Sequence, residues 1–365
     1  MISIKRKTTH PIGLHLNPHS ATLVQLDGSP GQLGIHALAQ AEMPRDDSLP
    51  PQEQDRETAQ ALSKLVADHQ FKGRRVVSYL GSEELFVQNI RLPQLPEEEL
   101  EKVVSWEAEE RLPYPVADAE IRHLLAGEVR QDANIKQEVI LLACHRGLID
   151  RHISMLEQAG LTPDAVDVEP CAVLRSFETQ SAGSQLAGLQ SDEASATEGT
   201  RRAYLNLGEK ATTVMFAENQ RILFLKYVSI GGHHLDRAVA NHLDLDLAQA
   251  ARMRARVSSS QELDVEDEIH RSVIDSIRDP LEAIGSEIEL CLRYDKVTFR
   301  GRGLEKMIIT GDNASPWLIE YFTQRLGTRC EMGDPFGALA HRPTAPASLD
   351  RPWRWTTAMG LSLKN

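Results

Sequence analysis

The chain has 365 residues, of which 41% are hydrophobic and 25% charged, and a formal net charge of −13. That length suits two to three domains of about 150 residues each. The acidic balance argues against a nucleic-acid binder, which needs a basic face to displace counterions, and no apolar run approaches the ~20 residues of a membrane-spanning helix.

The opening MISIKRKTTHPIG is basic but has no apolar stretch of signal-peptide length, so the expected location is the cytoplasm. It leads into IGLHL and ATLVQL, two strands flanking the turn Asn17-Pro18-His19, and LGIHALAQAEM follows as a third strand after a glycine turn. A helix near 55–70 carries Ala59, Leu62, Leu65 and Val66 at helical spacing. RRVVSYLG and ELFVQNIRLP add two strands.

A different unit begins near Leu92. LPQLPEEELEKVVSWEAEERLPYP is a helix bracketed by prolines, with Glu97, Glu98 and Glu99 in the first turn, where the helix dipole favours anions. Leu100, Val103, Val104 and Ala108 form its apolar stripe, and Trp106 lies off it. Two strands near 119–130 and 137–145, a helix from Gly147, the strand PDAVDVEP and the helix CAVLRSFE follow. The reading is a subdomain over 96–170 inserted in a first domain of 10–95, completed by 171–180 and 350–365.

Residues 179–202 are rich in Ser, Gly and Ala and read as a flexible linker or loop. The opening pattern then returns in RAYLNLGEKATTVMFAENQRILFLKYV, as strand, tight turn, strand, turn, strand. Two such units predict two similar α/β domains around a cleft. The second covers 203–233 and 300–345, interrupted by a helical insertion over 234–299. KMIITGDNAS is a buried strand ending in a glycine turn, the kind of place where α/β folds bind ligands. The final DRPWRWTTAMGLSLKN, with Arg351, Trp353, Arg354 and Trp355, is expected to dock on the first domain rather than lie in a membrane interface.

Cys144, Cys171, Cys291 and Cys330 lie far apart with no CxxC pair, so buried free thiols are expected rather than a zinc site or a disulfide framework. Adjacent His233 and His234 point in different directions on a helix and make a poor metal pair. Neither a metal site nor a catalytic residue is expected.

Together these segments resemble the actin/FtsA-like ATPase superfamily, and more closely the PilM family of type IV pilus assembly proteins. IRLPQLPEEELEKVVSWEAEERLPYP carries the resemblance through Pro93, Glu107-Ala108-Glu109, Pro113 and Pro115. LLACHRGLIDRHISMLEQAGLTPDAVDVEPCAVLR, YVSIGGHHLDRAVANHLDLDLAQAARMR and RWTTAMGLSLKN extend it over nearly the whole chain apart from the linker. The resemblance implies an α/β, actin-like fold with two duplicated domains around a cleft and inserted subdomains. It also implies a PilN-like inner-membrane partner whose short cytoplasmic tail enters the groove between the first domain and the inserted subdomain. The machine served would be a type IV pilus or a type II secretion-like assembly. Leu92, Pro93 and Leu95, at the junction, are the candidate groove residues.

The departures from the superfamily pattern fall on the nucleotide site. The first phosphate hairpin has His15 for an Asp and Asn17 for a Gly; the second has Asn206 for an Asp; Asp312 and Asn313 follow Gly311 where further glycines are usual. Magnesium takes hard anionic oxygens or waters held by carboxylates, and phosphoryl transfer depends on metal and positioned donors. Imidazole and carboxamide supply no such charge, and Asp312 sets a like charge beside a polyanion. Ser20, Gly208, Lys210, Thr212, Thr213 and Gly311 are the candidate contacts if a nucleotide binds. The expectation is therefore a scaffold with a degraded nucleotide site, no hydrolysis and no required cofactor, with ATP binding left open. The alternatives are an ATP-binding conformational switch, an FtsA-like membrane-anchored filament protein, and a sugar kinase.

Overall fold

The computed structural model describes residues 9–29, 32–46, 48–131, 134–177, 201–260, 262–264, 266–299, 303–337, 339 and 350–364. The expected linker lies outside these residues, except for Arg201 and Arg202, which open a strand.

Two five-stranded sheets repeat one topology. The first has the order β3-β2-β1-β4-β8, from β1 (Thr9–Leu16), β2 (Ser20–Asp27), β3 (Gly34–Glu42), β4 (Arg75–Leu80) and β8 (Thr162–Val168). The second has the order β11-β10-β9-β12-β13, from β9 (Arg201–Leu207), β10 (Thr212–Glu218), β11 (Arg221–Val228), β12 (Lys306–Thr310) and β13 (Cys330–Met332). In each, three antiparallel strands are followed by two that add in parallel. The central strands are buried almost without alternation, as they must be when both faces are covered. In the first sheet, Ile12, Leu14 and Leu23 pack with Leu62 of α1 (Pro51–Asp68) and Met155 of α3 (Arg146–Gln158). Val24 and Leu26 face Trp355, Ala358 and Met359 at α9 (Thr356–Ser362) on the other side.

Every residue of α9 is buried, so the closing segment docks as expected. The approach is close enough to demand glycine: a Cβ at Gly13 would lie 2.0 Å from the Ala358 carbonyl oxygen.

A third sheet, β5-β7-β6, is formed by β5 (Phe86–Pro93), β6 (Ala119–Gln131) and β7 (Asn134–His145). The helix α2 (Glu97–Arg111) covers one face through Leu100, Val104 and Ala108. The other face, with Ala126, Ile140 and Leu142, packs on α4 (residues 169–177) and on the second sheet. The insertion thus differs from the expected 96–170. It starts earlier, because β5 pairs with β7 rather than with β4. It ends earlier, because α3 joins the first core and β8 pairs in parallel with β4.

The helical stretch also differs from expectation. Alpha helices α5 (Gly232–Leu243), α6 (Leu247–Ser258) and α7 (Glu268–Thr298) share one core with β9, β10 and β12 and with α8 (Leu318–Leu326). In α7, Val273, Ile277, Leu281, Ile284 and Ile288 recur at three- and four-residue spacing and line its buried face. These helices are a layer of the second half, not a separate subdomain.

Candidate functional site

A cleft of about 380 Å³ lies between the two hairpins. Its first wall is the turn after β1, where Asn17 Oδ1 accepts from the amides of His19 at 2.9 Å and Ser20 at 2.7 Å. A short polar side chain here folds the chain back by hydrogen-bonding its own backbone. The second wall is the turn between β9 and β10, closed by Gly208 N–H donating to the Ala211 carbonyl at 3.0 Å.

The floor is Glu169, the first residue of α4. It receives the Asn206 amide and the Thr213 hydroxyl, the latter at 3.0 Å. Burial is the main reason its carboxyl is pushed up to about 7; the charge of Asp312 adds to the rise, while the two hydrogen bonds pull it back. Sequence reasoning missed Glu169. The one signal was a carboxylate between the apolar end of a strand and Pro170.

Asp312 stands where the chain leaves β12. Gly311, at φ +103°, turns the backbone there, and a Cβ on it would lie 2.5 Å from Asn206 Oδ1. The Asp312 side chain is 8% exposed, and its Oδ2 accepts from Asn17 Nδ2 at 2.7 Å and lies 3.5 Å from His15 Nε2. Arg354 Nε is 3.9 Å from its other oxygen. His15, Asn17 and Asp312, three positions where the sequence departs from the superfamily pattern, therefore meet in space.

Asn313 is a bracket. Its Nδ2 donates to the Gly208 carbonyl at 3.1 Å, and its Oδ1 accepts from Arg254 at 2.8 Å. Arg254 is itself held by Asp236 through bonds of 2.6 and 3.1 Å.

The candidate phosphate contacts are largely engaged within the protein. The Thr212 hydroxyl donates to the Ile230 carbonyl at 2.7 Å, and the Thr213 hydroxyl serves Glu169. The first amides of α5, those of Gly232 and His233, donate to the carbonyls of Gly208 and Glu209, both at 2.9 Å. Lys210 reaches across the mouth to Glu83 at 3.7 Å. The Ser20 amide closes the first turn. Among the described residues, no group of three or more His, Cys, Asp or Glu is placed to hold a metal ion.

The junction residues fall elsewhere. Leu92 is 3% exposed, in the core between β5 and α2, and Leu95 packs against the same core. Only Pro93 of the three is exposed. Leu92 is a core residue because the alternation of β5 turns it toward α2. Trp106 is exposed on α2.

A second concavity, of about 390 Å³, separates the third sheet from the first. Leu80, Leu85, Ile149, Ile153, Val166 and Val168 supply its apolar lining, and Glu120, Arg122, Arg146, Asp150 and Asp167 add charge. It sits at the Ala143–Cys144 end of β7, whereas Leu92 pairs with Gln137 near the other end.

Comparison with known proteins places this arrangement. In a solved PilM-PilN type IV pilus biogenesis complex, the matching chain superposes with a TM-score of 0.77 at 21% identity, over 97% of this chain and 98% of that one. The ethanolamine utilization protein EutJ from Carboxydothermus hydrogenoformans matches with a TM-score of 0.55 at 12% identity, over 98% and 90% of the two chains. The fold is the actin-like ATPase fold. The model of the family "Type IV pilus assembly protein PilM" matches residues 13–365. The two repeated sheets, the inserted three-stranded sheet and the full-length match make this chain a member of the PilM family of type IV pilus assembly proteins.

Proposed function

We propose that the protein is a docking scaffold that holds the cytoplasmic tail of a PilN-like inner-membrane protein in the groove between the first and third sheets. The observation that carries this reading is the groove itself: a largely apolar trough with some charged residues in its lining, bounded by α3 and by the ends of β4, β7 and β8. An extended segment can lay alternate apolar side chains into such a trough while its polar groups meet the rim. Support comes from the similar chain solved in a PilM-PilN complex. Among the described residues no helix is long and apolar enough to cross a membrane, so on this reading attachment to the membrane is through the partner.

The same proposal assigns the hairpin cleft no hydrolytic role. A magnesium nucleotide does not fit the residues present. His15 and Asn206 offer no anionic oxygen to organise a metal and its waters. The buried Asp312 carboxylate faces the turn that would meet a phosphate, and the amides opening α5 are already bonded. Docking therefore proceeds without nucleotide.

Fluorescence anisotropy with a labelled peptide of the PilN-like tail tests both parts. Binding should be the same with and without magnesium ATP. Ile153→Asp, which puts a charge on the groove floor, should weaken it by roughly tenfold or more. Full binding by that variant would remove the groove as the site. Binding that appears only with magnesium ATP would favour a nucleotide-driven switch instead.

A further inference from the structure

We infer that Asp312 acts as a built-in anion that latches the two halves of the cleft together, in the place where the fold would otherwise use a ligand. The inference rests on the proposed reading that this cleft does not work a magnesium nucleotide.

Two-lobed clefts open and close about hinges, and a ligand closes them only by contacting both lobes. Here side chains make that bridge. Because Asn17 Oδ1 is committed to the amides of His19 and Ser20, its Nδ2 is left to point away from the turn, and it donates to Asp312 Oδ2 at 2.7 Å. The two residues are 295 positions apart, one on the first hairpin and one at the end of β12. His15 Nε2 stands 3.5 Å from the same oxygen, and Arg354, from the turn that leads into α9, is 3.9 Å from the other.

The carboxylate thus accepts a hydrogen bond from Asn17 of the first hairpin and has the His15 ring and the Arg354 guanidinium within 4 Å. A buried carboxylate is costly without a donor, so an opening that takes the Asn17 bond from Asp312 is opposed. Asp312 is also rigidly mounted. The Asn313 amide donates to the Leu207 carbonyl at 3.1 Å, and its side chain ties the second hairpin turn to Arg254. Pulling the halves apart must break the Asn17–Asp312 bond. The half-exposed Lys210–Glu83 pair at the mouth adds little on its own.

Amide hydrogen exchange on the full chain without ligand tests the latch. Asn17→Asp keeps an oxygen for the two turn amides but sets a second carboxylate against Asp312. Exchange across 15–20 and 207–213 should rise roughly tenfold or more, while α1 and α7 stay protected and report an intact fold. Asp312→Ala should loosen the same two segments by a second route. Combining Asn17→Asp with Asp312→Asn reverses donor and acceptor and should restore protection, which a general loss of stability would not. Unchanged exchange in both single variants, or a swap that stays open, overturns the latch. Calorimetry of the wild-type chain with magnesium ATP, run in parallel, judges the underlying reading separately. Tight binding abolished by chelator would overturn the non-nucleotide assignment, while the exchange data alone decide the latch.

Discussion

At the scale of single residues, Glu169 makes the sharpest statement about pH. Burial raises its carboxyl to about 7, whereas an unperturbed Glu lies near 4.5. Between those values the native chain holds a proton that the unfolded chain has released, so this group's contribution to stability falls as pH rises from about 4.5 to about 7. Asp295, raised to about 6 mainly by burial, has the same sign. His152 has the opposite sign: burial lowers it from 6.5 to about 4, so its contribution rises with pH over that range. The wild-type profile mixes these slopes, and the comparison with Glu169→Gln separates them. Relative to wild type, the variant should gain stability with pH at up to roughly 1.4 kcal/mol per unit across that window. Urea denaturation at about pH 5 and about pH 7 measures the difference, and a constant gap would mean that Glu169 is ionised throughout. The one local mark in the sequence, a carboxylate between a strand end and Pro170, does not point to a cleft. It becomes a site only because α4 starts under the second sheet, a contact between segments far apart in the chain. His15, Asn17, Asn206 and Asp312 were legible through the resemblance, as residues that differ from its pattern. That His15, Asn17 and Asp312 contact one another was not.

At the scale of elements, β5 shows why alternation predicts a strand but not its partner. FVQNIRLP reads as a strand of the first domain, yet its hydrogen bonds go to β7 in the third sheet. Pairing is a non-local choice, set here by the apolar face that α2 requires. The same blindness placed α3 and β8 in the insertion, because they follow β7 directly in sequence while their cores and register belong to the first sheet. The hairpins were easier, since each strand pair and its turn lie within one short window, and the closing segment docks as expected. Leu92 carries the consequence. Packed with Leu100, Val104, Val139 and Leu141, it should cost roughly 2–4 kcal/mol of stability when cut to Ala. If the groove holds the tail, the folded fraction of Leu92→Ala should still bind with wild-type affinity. Denaturant midpoints and tail anisotropy on the same sample check both halves. A variant that keeps its stability but loses the tail would return the docking site to this junction.

At the scale of the whole molecule, the two halves are joined by more than the cleft. The third sheet lies between α2 and the second half and is anchored through Asn89, whose Nδ2 donates to the Leu225 carbonyl at 2.8 Å, and through Arg91, which reaches Thr298 at 3.0 Å. The helix α9 threads between β1 and α4, so that a Cβ at Gly360 would lie 1.8 Å from the Ala172 carbonyl oxygen. The groove is therefore bounded by two bodies that are each tied to the rest, and filling it should tighten them together. A ligand that binds only the native state stabilises it by RT ln(1 + [L]/Kd), about 2.7 kcal/mol at a hundredfold excess over Kd. The tail peptide should accordingly raise the unfolding midpoint of the full chain, by roughly 2–4 °C if unfolding is cooperative over this length. The same concentration of magnesium ATP should leave the midpoint unmoved, because no magnesium-nucleotide complex is expected to form in the cleft. Ile153→Asp should abolish the shift caused by the tail without abolishing the transition itself. A midpoint raised by magnesium ATP and unaffected by the tail would reverse the assignment of the two cavities, making the hairpin cleft the working site and the groove a passive seam.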